Sequence, residues 1–346
     1  MKVDFIMLAK KLIKSILYYS KILSLYHLVR NKNVLTVVVF HRVLNTSDAR
    51  WLQANKEWTV TSDFFKEIIT YFNRHYNIVT LDDVIECNEN NVVLPHYPLL
   101  ITFDDGWKDN YEFAYPITKE VGVPITVFCT TGAINSTYLN WREIVYALIT
   151  LSSDNATHLL TVLSRYNLNC GPEATAYDYI QIISSIDDNT KIISDIDALV
   201  YLLGSKNQML SDSDITDMYE SELVSFGTHG HSHEPLKSLS NPENELKLSR
   251  DILSNILHMN ITSLAYPHSS VTKEIYSIAA KEGYKYQFGG RNSLNKLSKT
   301  RAINYFGRIA INQLDLCDNN GRLLPELLSL LLFRTKHQKT GYSNNE

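Results

Sequence analysis

The run Val-Leu-Thr-Val-Val-Val-Phe at residues 34–40 restricts the fold of this chain more than any other feature. A continuous run of β-branched and aromatic residues is typical of a strand buried on both faces, which occurs mainly in parallel sheets covered by helices. Shorter strand patterns follow near residues 99–103, 125–129, 223–226 and 262–266, with helical patterns between most of them. This alternation predicts an α/β fold with a largely parallel sheet or barrel.

Residues of about 140–222 depart from this alternation. They are rich in Asp, Ser, Asn and Leu, and apolar residues recur at helical spacing, as at Ile144, Leu148 and Leu151. We interpret them as a helical insertion that acts as a lid or a substrate platform. The predicted domain organisation therefore has three parts. They are an N-terminal amphipathic basic helix at 1–32, an α/β domain at 33–312 that contains the insertion, and a C-terminal helix with a polar tail at 313–346.

Composition excludes several classes of protein. The chain has 346 residues and a net charge of −4, so no overall positive field attracts nucleic acid. Its four cysteines contain no Cys-x-x-Cys pair. This spacing argues against a disulfide scaffold or a thiolate zinc site, and it fits a reducing compartment.

The N-terminal 30 residues allow two interpretations. Apolar residues repeat at helical spacing, and lysines occupy another side of the predicted helix. No apolar stretch approaches the ~18 residues that span a bilayer, and no small-residue cleavage site follows, so neither a membrane span nor a signal peptide is expected. Residues 1–30 therefore form either a peripheral membrane helix or an ordinary helix packed on the domain. We predict a cytoplasmic protein, peripheral at the inner membrane face in the first case. The residues that define the pattern are Phe5, Leu8, Leu12, Ile16, Tyr19 and Leu23, with Lys10, Lys14 and Lys21.

Two polar clusters follow predicted strands. Asp104 and Asp105 come directly after an apolar run, where paired carboxylates are costly unless a cation or a reaction uses them. A surface turn is the alternative, because Asp-Gly is a common turn signal. His229 and His233 are four residues apart, so on a helical turn both rings would reach one metal ion. On a strand they would share a face with His231, but glycines at 227 and 230 make a strand less favourable.

A carboxylate with two imidazoles is the ligand type of open hydrolytic zinc and non-haem iron sites. Three protein ligands leave room for water and a substrate oxygen. We assign the carboxylate to Asp105. Because side chains alternate along an extended segment, Asp104 is better placed as a general base than as a second ligand.

These motifs together resemble the polysaccharide deacetylases, the NodB-homology proteins of carbohydrate esterase family four. The resemblance lies in Thr-Phe-Asp-Asp-Gly at 102–106, in His-x-x-x-His at 229–233 followed by Pro-Leu, and in Ala-Tyr-Pro-His at 265–268. It covers residues of about 33–312. It implies a distorted (β/α) barrel with fewer strands than the regular eight, and an active site at the carboxyl ends of the strands.

The resemblance also implies roles for single residues. Asp104 would be the catalytic base, and Asp105, His229 and His233 would bind Zn²⁺ or another divalent metal such as Ni, Co or Fe. The backbone N–H of His268 would bind the oxyanion. Tyr266 and Pro267, in the same motif, are assigned to substrate binding.

The chain departs from the family pattern at two motifs. Ala265 and Ser269 stand where many members have Arg and Gly, so Arg308 or Arg42 would have to orient Asp104. The usual late catalytic histidine is not visible, since His337 lies in the predicted polar tail. Phe-His-Arg-Val at 40–43 resembles instead a segment of the members with a permuted motif order, in which His41 would be the general acid. A structural histidine is the alternative for this position.

The function implied is metal-dependent removal of an acetyl group from an N-acetylated sugar in a bacterial-type polysaccharide or glycan precursor. The alternatives are O-deacetylation or deformylation of a sugar precursor, and an inactive carbohydrate-binding homologue, because a fold does not fix a function. The partner expected in each case is a carbohydrate, and no nucleic acid is expected.

Overall fold

A computed structural model of the chain describes residues 13–90, 92–138, 140–171, 173–204, 207–290, 292–297 and 304–338. The predictions for Phe5, Leu8, Lys10 and Leu12 lie outside these residues, as does the last part of the predicted polar tail.

The strands are β1 Val34–Phe40, β2 Arg42–Leu44, β3 Thr59–Thr61, β4 Asn77–Ile78, β5 Pro98–Phe103, β6 Ile125–Cys129, β7 Val224–Thr228, β8 Ser263–Ala265, β9 Tyr286–Phe288, β10 Ser293–Lys296, β11 Tyr305–Phe306, β12 Ile309–Ala310 and β13 Lys336–Gln338. The helices are α1 Ile22–Arg30, α2 Arg50–Gln53, α3 Ser62–His75, α4 Leu81–Asn90, α5 Tyr115–Val121, α6 Trp141–Leu151, α7 Ser153–Ser164, α8 Ala176–Ser184, α9 Thr190–Asp197, α10 Asp212–Glu220, α11 Pro242–Leu257, α12 Lys273–Lys281, α13 Gln313–Leu316 and α14 Pro325–Arg334.

The main sheet is largely parallel and closes into a barrel, and β10 adds to it as an antiparallel neighbour of β1. Its strands follow the order β1, β5, β6, β7, β8, β9, and every neighbouring pair in this series is parallel. The segment 305–310 joins the two edges, because β11 pairs with β9 and β12 pairs with β1. With the segment 305–310 counted as one interrupted strand, the barrel has seven strands, fewer than the regular eight, as the resemblance implied. All of β1 is buried, which confirms the interpretation of residues 34–40.

Alternation along the strands divides the apolar side chains between two clusters. Val38, Ile101 and Val127 belong to the large core between the barrel and its surrounding helices. Their neighbours Val37, Leu100 and Phe128 belong to a second cluster in the barrel interior. Side chains that continue the interior series past the strand ends therefore face the mouth of the barrel.

The predicted insertion is helical, and helices α6 to α9 enclose a hydrophobic cluster of their own between residues 138 and 203. Helix α10 falls within the predicted insertion, but its Ile215 and Met218 pack in the large core. The domain boundaries as such stay predictions.

Helices α1 and α14, near the two ends of the described part of the chain, pack against each other. Leu328 and Leu332 of α14 are buried in the large core. The prediction that His337 lies in a polar tail is wrong, because residues 336–338 form β13 and pair with β10. Within the described residues, no helix combines the length and the apolar character needed to cross a bilayer.

Candidate active site and metal centre

The carboxyl ends of the parallel strands meet at one edge of the barrel and bring the predicted residues together. His41 follows β1, Asp104 follows β5, His229 follows β7 and Tyr266 follows β8. With Asp105, His233 and His268 they line one cavity of about 370 Å³. These residues lie up to 227 positions apart in sequence, and the parallel strand order alone makes them neighbours.

Asp105, His229 and His233 form a buried cluster whose three ligand atoms lie within 4.8 Å of one another. Oδ1 of Asp105 lies 3.1 Å from Nε2 of His233 and 3.5 Å from Nε2 of His229. Of the described residues, these three are the group with metal-binding geometry. One oxygen and two ring nitrogens facing a common point match the donor set of a three-ligand hydrolytic site.

The surroundings of His229 show that this cluster suits a cation. Its Nδ1 lies 2.9 Å from the carbonyl oxygen of Ala265, which can only accept, so Nδ1 carries the ring proton. Burial lowers the pKa of His229 to about 4, so the ring is neutral at pH 7 and Nε2 presents a lone pair. Oδ1 of Asp105 is buried and receives no hydrogen bond of good geometry. Two lone-pair donors facing each other in a buried site fit a bound metal ion.

The helical-turn interpretation of the histidine motif is wrong. Residues 229–233 form a turn outside any helix, with left-handed backbone at Gly230 (φ 73°) and His233 (φ 61°). This turn brings His233 back towards His229. His231 lies apart from the cluster, since its Nδ1 is 3.1 Å from Oγ1 of Thr131.

Asp104 and Asp105 both face the cavity, although strict strand alternation would separate them. The backbone of Asp105 is left-handed (φ 75°), which ends the alternation at this residue. Oδ2 of Asp104 lies 3.8 Å from Nε2 of His229. Backbone geometry at Asp105, rather than alternation, therefore sets the different surroundings of the two carboxylates.

Arg308 orients Asp104. Its two terminal nitrogens donate to the two carboxylate oxygens at 2.6 and 2.8 Å, a bidentate geometry. Burial acts to raise the pKa of Asp104, but Arg308 and His229 outweigh it and hold the pKa below its ordinary value. Arg308 lies between β11 and β12, at the point where the barrel closes. Of the two arginines suggested by the sequence, it is the one that contacts Asp104.

Arg42 supports the other carboxylate. It pairs with buried Asp109 at 2.8 Å, and its guanidinium lies 3.9 Å from the centre of the Trp107 ring. The indole N–H of Trp107 donates to Oδ2 of Asp105 at 2.9 Å. Trp107 therefore satisfies one oxygen of Asp105 and leaves Oδ1 directed at the histidines.

The remaining predicted residues occupy different positions around the cavity. His41 lines it beside Trp58, whose ring centre is 4.7 Å away. Within the described residues, the backbone N–H of His268 has no acceptor, and its ring nitrogen Nε2 bonds the carbonyl of His233. Tyr266 lines the cavity, but its buried hydroxyl bonds Gln287. Pro267 is buried beside Gly230 and is not among the lining residues.

Sequence reasoning missed two residues that the helical insertion brings to the site. The side-chain nitrogen of Asn140 lies 2.9 Å from Nδ1 of His233, and its oxygen caps helix α6 by accepting from the N–H of Arg142. Glu143, in the first turn of α6, lines the cavity, and burial raises the pKa of its carboxyl group. The sequence contains a signal for the capping role of Asn140, because asparagine is a preferred N-cap residue at the start of a helix. Its contact with His233 depends on tertiary packing and carries no local signal.

A family model described as polysaccharide deacetylase matches residues 94–287. A curated relative, the poly-beta-1,6-N-acetyl-D-glucosamine N-deacetylase of Staphylococcus epidermidis, is 23% identical over 274 residues, which are 76% of this chain and 70% of that protein.

Solved structures of deacetylases are similar in fold. The Streptococcus pyogenes deacetylase PplD, solved in complex with acetate, is 19% identical with a TM-score of 0.53, over 81% of this chain and 93% of that one. IcaB from Ammonifex degensii is 16% identical with a TM-score of 0.55, over 87% of this chain and 97% of that one.

Proposed function

This chain belongs to the polysaccharide deacetylase family, and we propose that it removes the N-acetyl group of an amino sugar in a bacterial-type polysaccharide or glycan precursor by a metal-dependent hydrolysis. The reaction consumes water, breaks the amide carbon–nitrogen bond, and yields acetate and a free sugar amine. The curated Staphylococcus epidermidis relative is an N-deacetylase of an N-acetylglucosamine polymer, which supports this choice of substrate class.

The observation that carries the proposal is the pair of facing lone-pair donors in the buried cluster. Asp105, His229 and His233 would hold the metal ion, for which Zn²⁺, Ni²⁺, Co²⁺ and Fe²⁺ are the candidates. Such an ion would polarise the substrate carbonyl and lower the pKa of an attacking water.

Asp104 is the proposed general base. Arg308 keeps it ionised and fixes the direction of its oxygens, so it can take the proton of the attacking water. Ionised carboxylate and guanidinium satisfy each other in this buried position, and Asp104 acts as a base without needing an unusual pH.

The oxyanion needs a hydrogen-bond donor, and the leaving amine needs a proton donor. The free backbone N–H of His268 is the proposed donor to the oxyanion that develops on the acetyl carbon. His41, which lines the cavity where β1 ends, is the proposed general acid that gives a proton to the departing sugar nitrogen.

The sugar itself is proposed to contact side chains at the rim of the cavity. Trp58 is 45% exposed and offers an apolar ring, while Asn55 and Glu143 offer polar groups. An aromatic face with a few placed polar groups is the usual composition of a small-ligand site. Glu143 comes from the helical insertion, so the insertion would contribute to substrate choice.

The test combines acetate release with metal analysis in three variants. Asp104→Asn should lose about 10²- to 10⁴-fold in kcat, the contribution of a general base, and keep its metal. His229→Ala should lose both metal and activity. His231→Ala is the matched control, because this histidine belongs to the same motif but lies outside the cluster, and it should retain both.

Several outcomes would contradict the proposal. Acetate release at the wild-type rate by Asp104→Asn would exclude the base assignment, and full metal occupancy in His229→Ala would exclude the ligand set. Comparing N-acetyl with O-acetyl sugars separates the two deacetylations. Activity on the O-acetyl sugar alone would replace N-deacetylation by the O-deacetylase alternative.

A further inference from the structure

Residues 13–30 are helical on both sides of a break at Ser20 and Lys21, and one face of this segment is fixed to the body of the protein. Leu23 is buried, and the Tyr26 ring lies 4.1 Å from that of Phe333 in α14. Arg30 donates to the carbonyls of residues 333 and 335 at 2.6 Å each. The segment is therefore a packed part of the structure, with a defined outer surface.

That outer surface is apolar. Eight of the 18 large hydrophobic side chains exposed in the described part of the chain fall within residues 13–29. Their spacing of three or four residues places most of them on one side of each helical segment. We call this surface the N-terminal face. It consists of Ile13, Ile16, Tyr19, Ile22, Leu25, Tyr26, Leu28 and Val29. A concentrated apolar patch of this kind marks an interaction surface rather than ordinary surface residues.

The positive charge of the N-terminal segment indicates what kind of partner this face binds. Seven of the 33 Lys and Arg residues lie in residues 1–32, together with only one of the 37 Asp and Glu residues. The rest of the chain is strongly acidic, so an anionic surface would repel it and attract this segment. Lys21 and Lys32 are exposed beside the apolar side chains. Apolar residues with adjacent cations match the boundary between the acyl chains and anionic headgroups of a bilayer.

We propose that the N-terminal face binds the surface of an anionic lipid membrane, with its apolar side chains inserted at the headgroup boundary. A second copy of this chain would cover the apolar side chains but would bring two positive segments together, so the charge pattern favours lipid.

The N-terminal segment borders a groove that adjoins the active-site cavity. A groove of about 700 Å³ is bordered by Lys14 of the N-terminal segment and by Leu327 and Leu331 of α14. The groove shares Trp58 and Ala310 with the cavity. Docking through the N-terminal face would thus hold the cavity close to the membrane surface. If the proposed deacetylase function holds, glycans attached to that surface are the substrates that gain from docking.

The binding test uses the whole protein and two sets of vesicles, phosphatidylcholine alone and an equimolar mixture with phosphatidylglycerol. The wild type should sediment with the anionic vesicles and, at equal lipid, about tenfold less with the neutral ones, and added salt should release it. The double variant Leu25→Glu/Val29→Glu should lose about tenfold in binding to anionic vesicles. Val93→Glu is the matched control, since Val93 is 77% exposed and Val29 79%, and it should bind like the wild type.

Equal sedimentation of all three proteins, or absence of the wild type from anionic vesicles, would overturn the proposal. So would a wild-type dimer in light scattering that the double variant converts to a monomer, because the face would then join two copies. Circular dichroism of the double variant verifies its fold. Acetate release from a soluble substrate is measured separately. Vesicle binding by a protein without this activity would refute the proposed function and leave the membrane proposal intact.

Discussion

Single atoms at the mouth of the barrel determine what this site can bind. The carbonyl of Ala265 places the proton of His229 on Nδ1, and the indole of Trp107 occupies one oxygen of Asp105. The remaining nitrogen and oxygen face each other without a proton between them. The Ala265 carbonyl and the Trp107 indole each fix the direction of one proposed metal ligand, which is the usual role of groups around a metal site.

Arg308 supplies a guanidinium group to Asp104 from a part of the sequence far from the motif at 265–268. The resemblance predicts an arginine where this chain has Ala265, and Arg308 contacts the Asp104 carboxylate from the barrel closure instead. Its guanidinium is also held by the carbonyl of Gly289 at 3.1 Å. A buried carboxylate left without this partner would be strongly destabilising, because an unpaired buried charge costs about 3–5 kcal/mol.

We expect the hydrogen bond between Asn140 and His233 to affect the metal affinity of the site. Asn140→Ala should strengthen metal binding by about two- to tenfold. The NH2 group of Asn140 can only donate, so its bond to Nδ1 of His233 keeps the ring proton on Nε2, the atom that would bind the metal. Titration of the metal-free protein with Zn²⁺ or Co²⁺ measures this affinity. Asn140→Ser is the control for helix capping, since serine caps well but is too short to reach His233.

If the contact with His233 matters, both Asn140 variants should gain metal affinity, while only the alanine variant loses stability. Normal affinity in the serine variant would assign Asn140 to helix capping alone.

Among the elements, helix α1 carries a titratable group in its packed face. His27 lies between the rings of Tyr76 and Tyr97, and its buried Nε2 has no partner within the described residues. Burial, with His75 and Arg30 nearby, lowers the pKa of His27 to about 4. The ring is therefore neutral in the folded protein and must acquire its proton on unfolding at mildly acidic pH.

Acidification should thus destabilise the protein through His27. The unfolded chain binds more protons than the folded one between about pH 6.5 and 4, so this contribution is complete above 6.5 and is lost as the pH falls. Between pH 7 and pH 5 the loss is about 2 kcal/mol. Urea unfolding of the wild type and of His27→Gln at both pH values measures it. The variant should lose about 2 kcal/mol less than the wild type, and equal losses would contradict the assignment.

At the scale of the whole molecule, two hydrophobic cores meet at one site. The helices of the insertion enclose their own cluster, while the barrel and its outer helices share the large core. Contacts between the two parts include the bidentate pair of Arg142 with Glu234, next to His233. We therefore expect the insertion to open at a lower free energy than the barrel.

Hydrogen exchange should reveal this division. Leu163 is fully buried in the insertion core, and Leu163→Ala should cost about 2–5 kcal/mol there, with loss of protection confined to residues of about 141–203. Leu253→Ala makes a comparable cavity in the large core and should reduce protection in the barrel strands. Loss of barrel protection in Leu163→Ala would show a single cooperative unit.

Much of this protein follows from its sequence, because the strand patterns and the motifs are local. The pattern at residues 34–40 predicts a buried parallel strand. Polar clusters that directly follow parallel strands meet at one edge of the barrel. Asp104, Asp105, His229 and His233 could be assigned on that basis. The intracellular location stays a prediction.

Tertiary structure decided what local patterns do not encode. The left-handed backbone of Asp105 turns both carboxylates towards the cavity, and barrel closure selects Arg308 over Arg42. The insertion supplies Asn140 and Glu143, and α14 leaves one side of the N-terminal segment exposed. These outcomes depend on contacts between residues that are distant in sequence. Such contacts form, and stabilise the structure, only when the chain folds. Sequence periodicity indicates which side chains share one face of a helix or strand. It does not indicate which other helices and strands pack against that face.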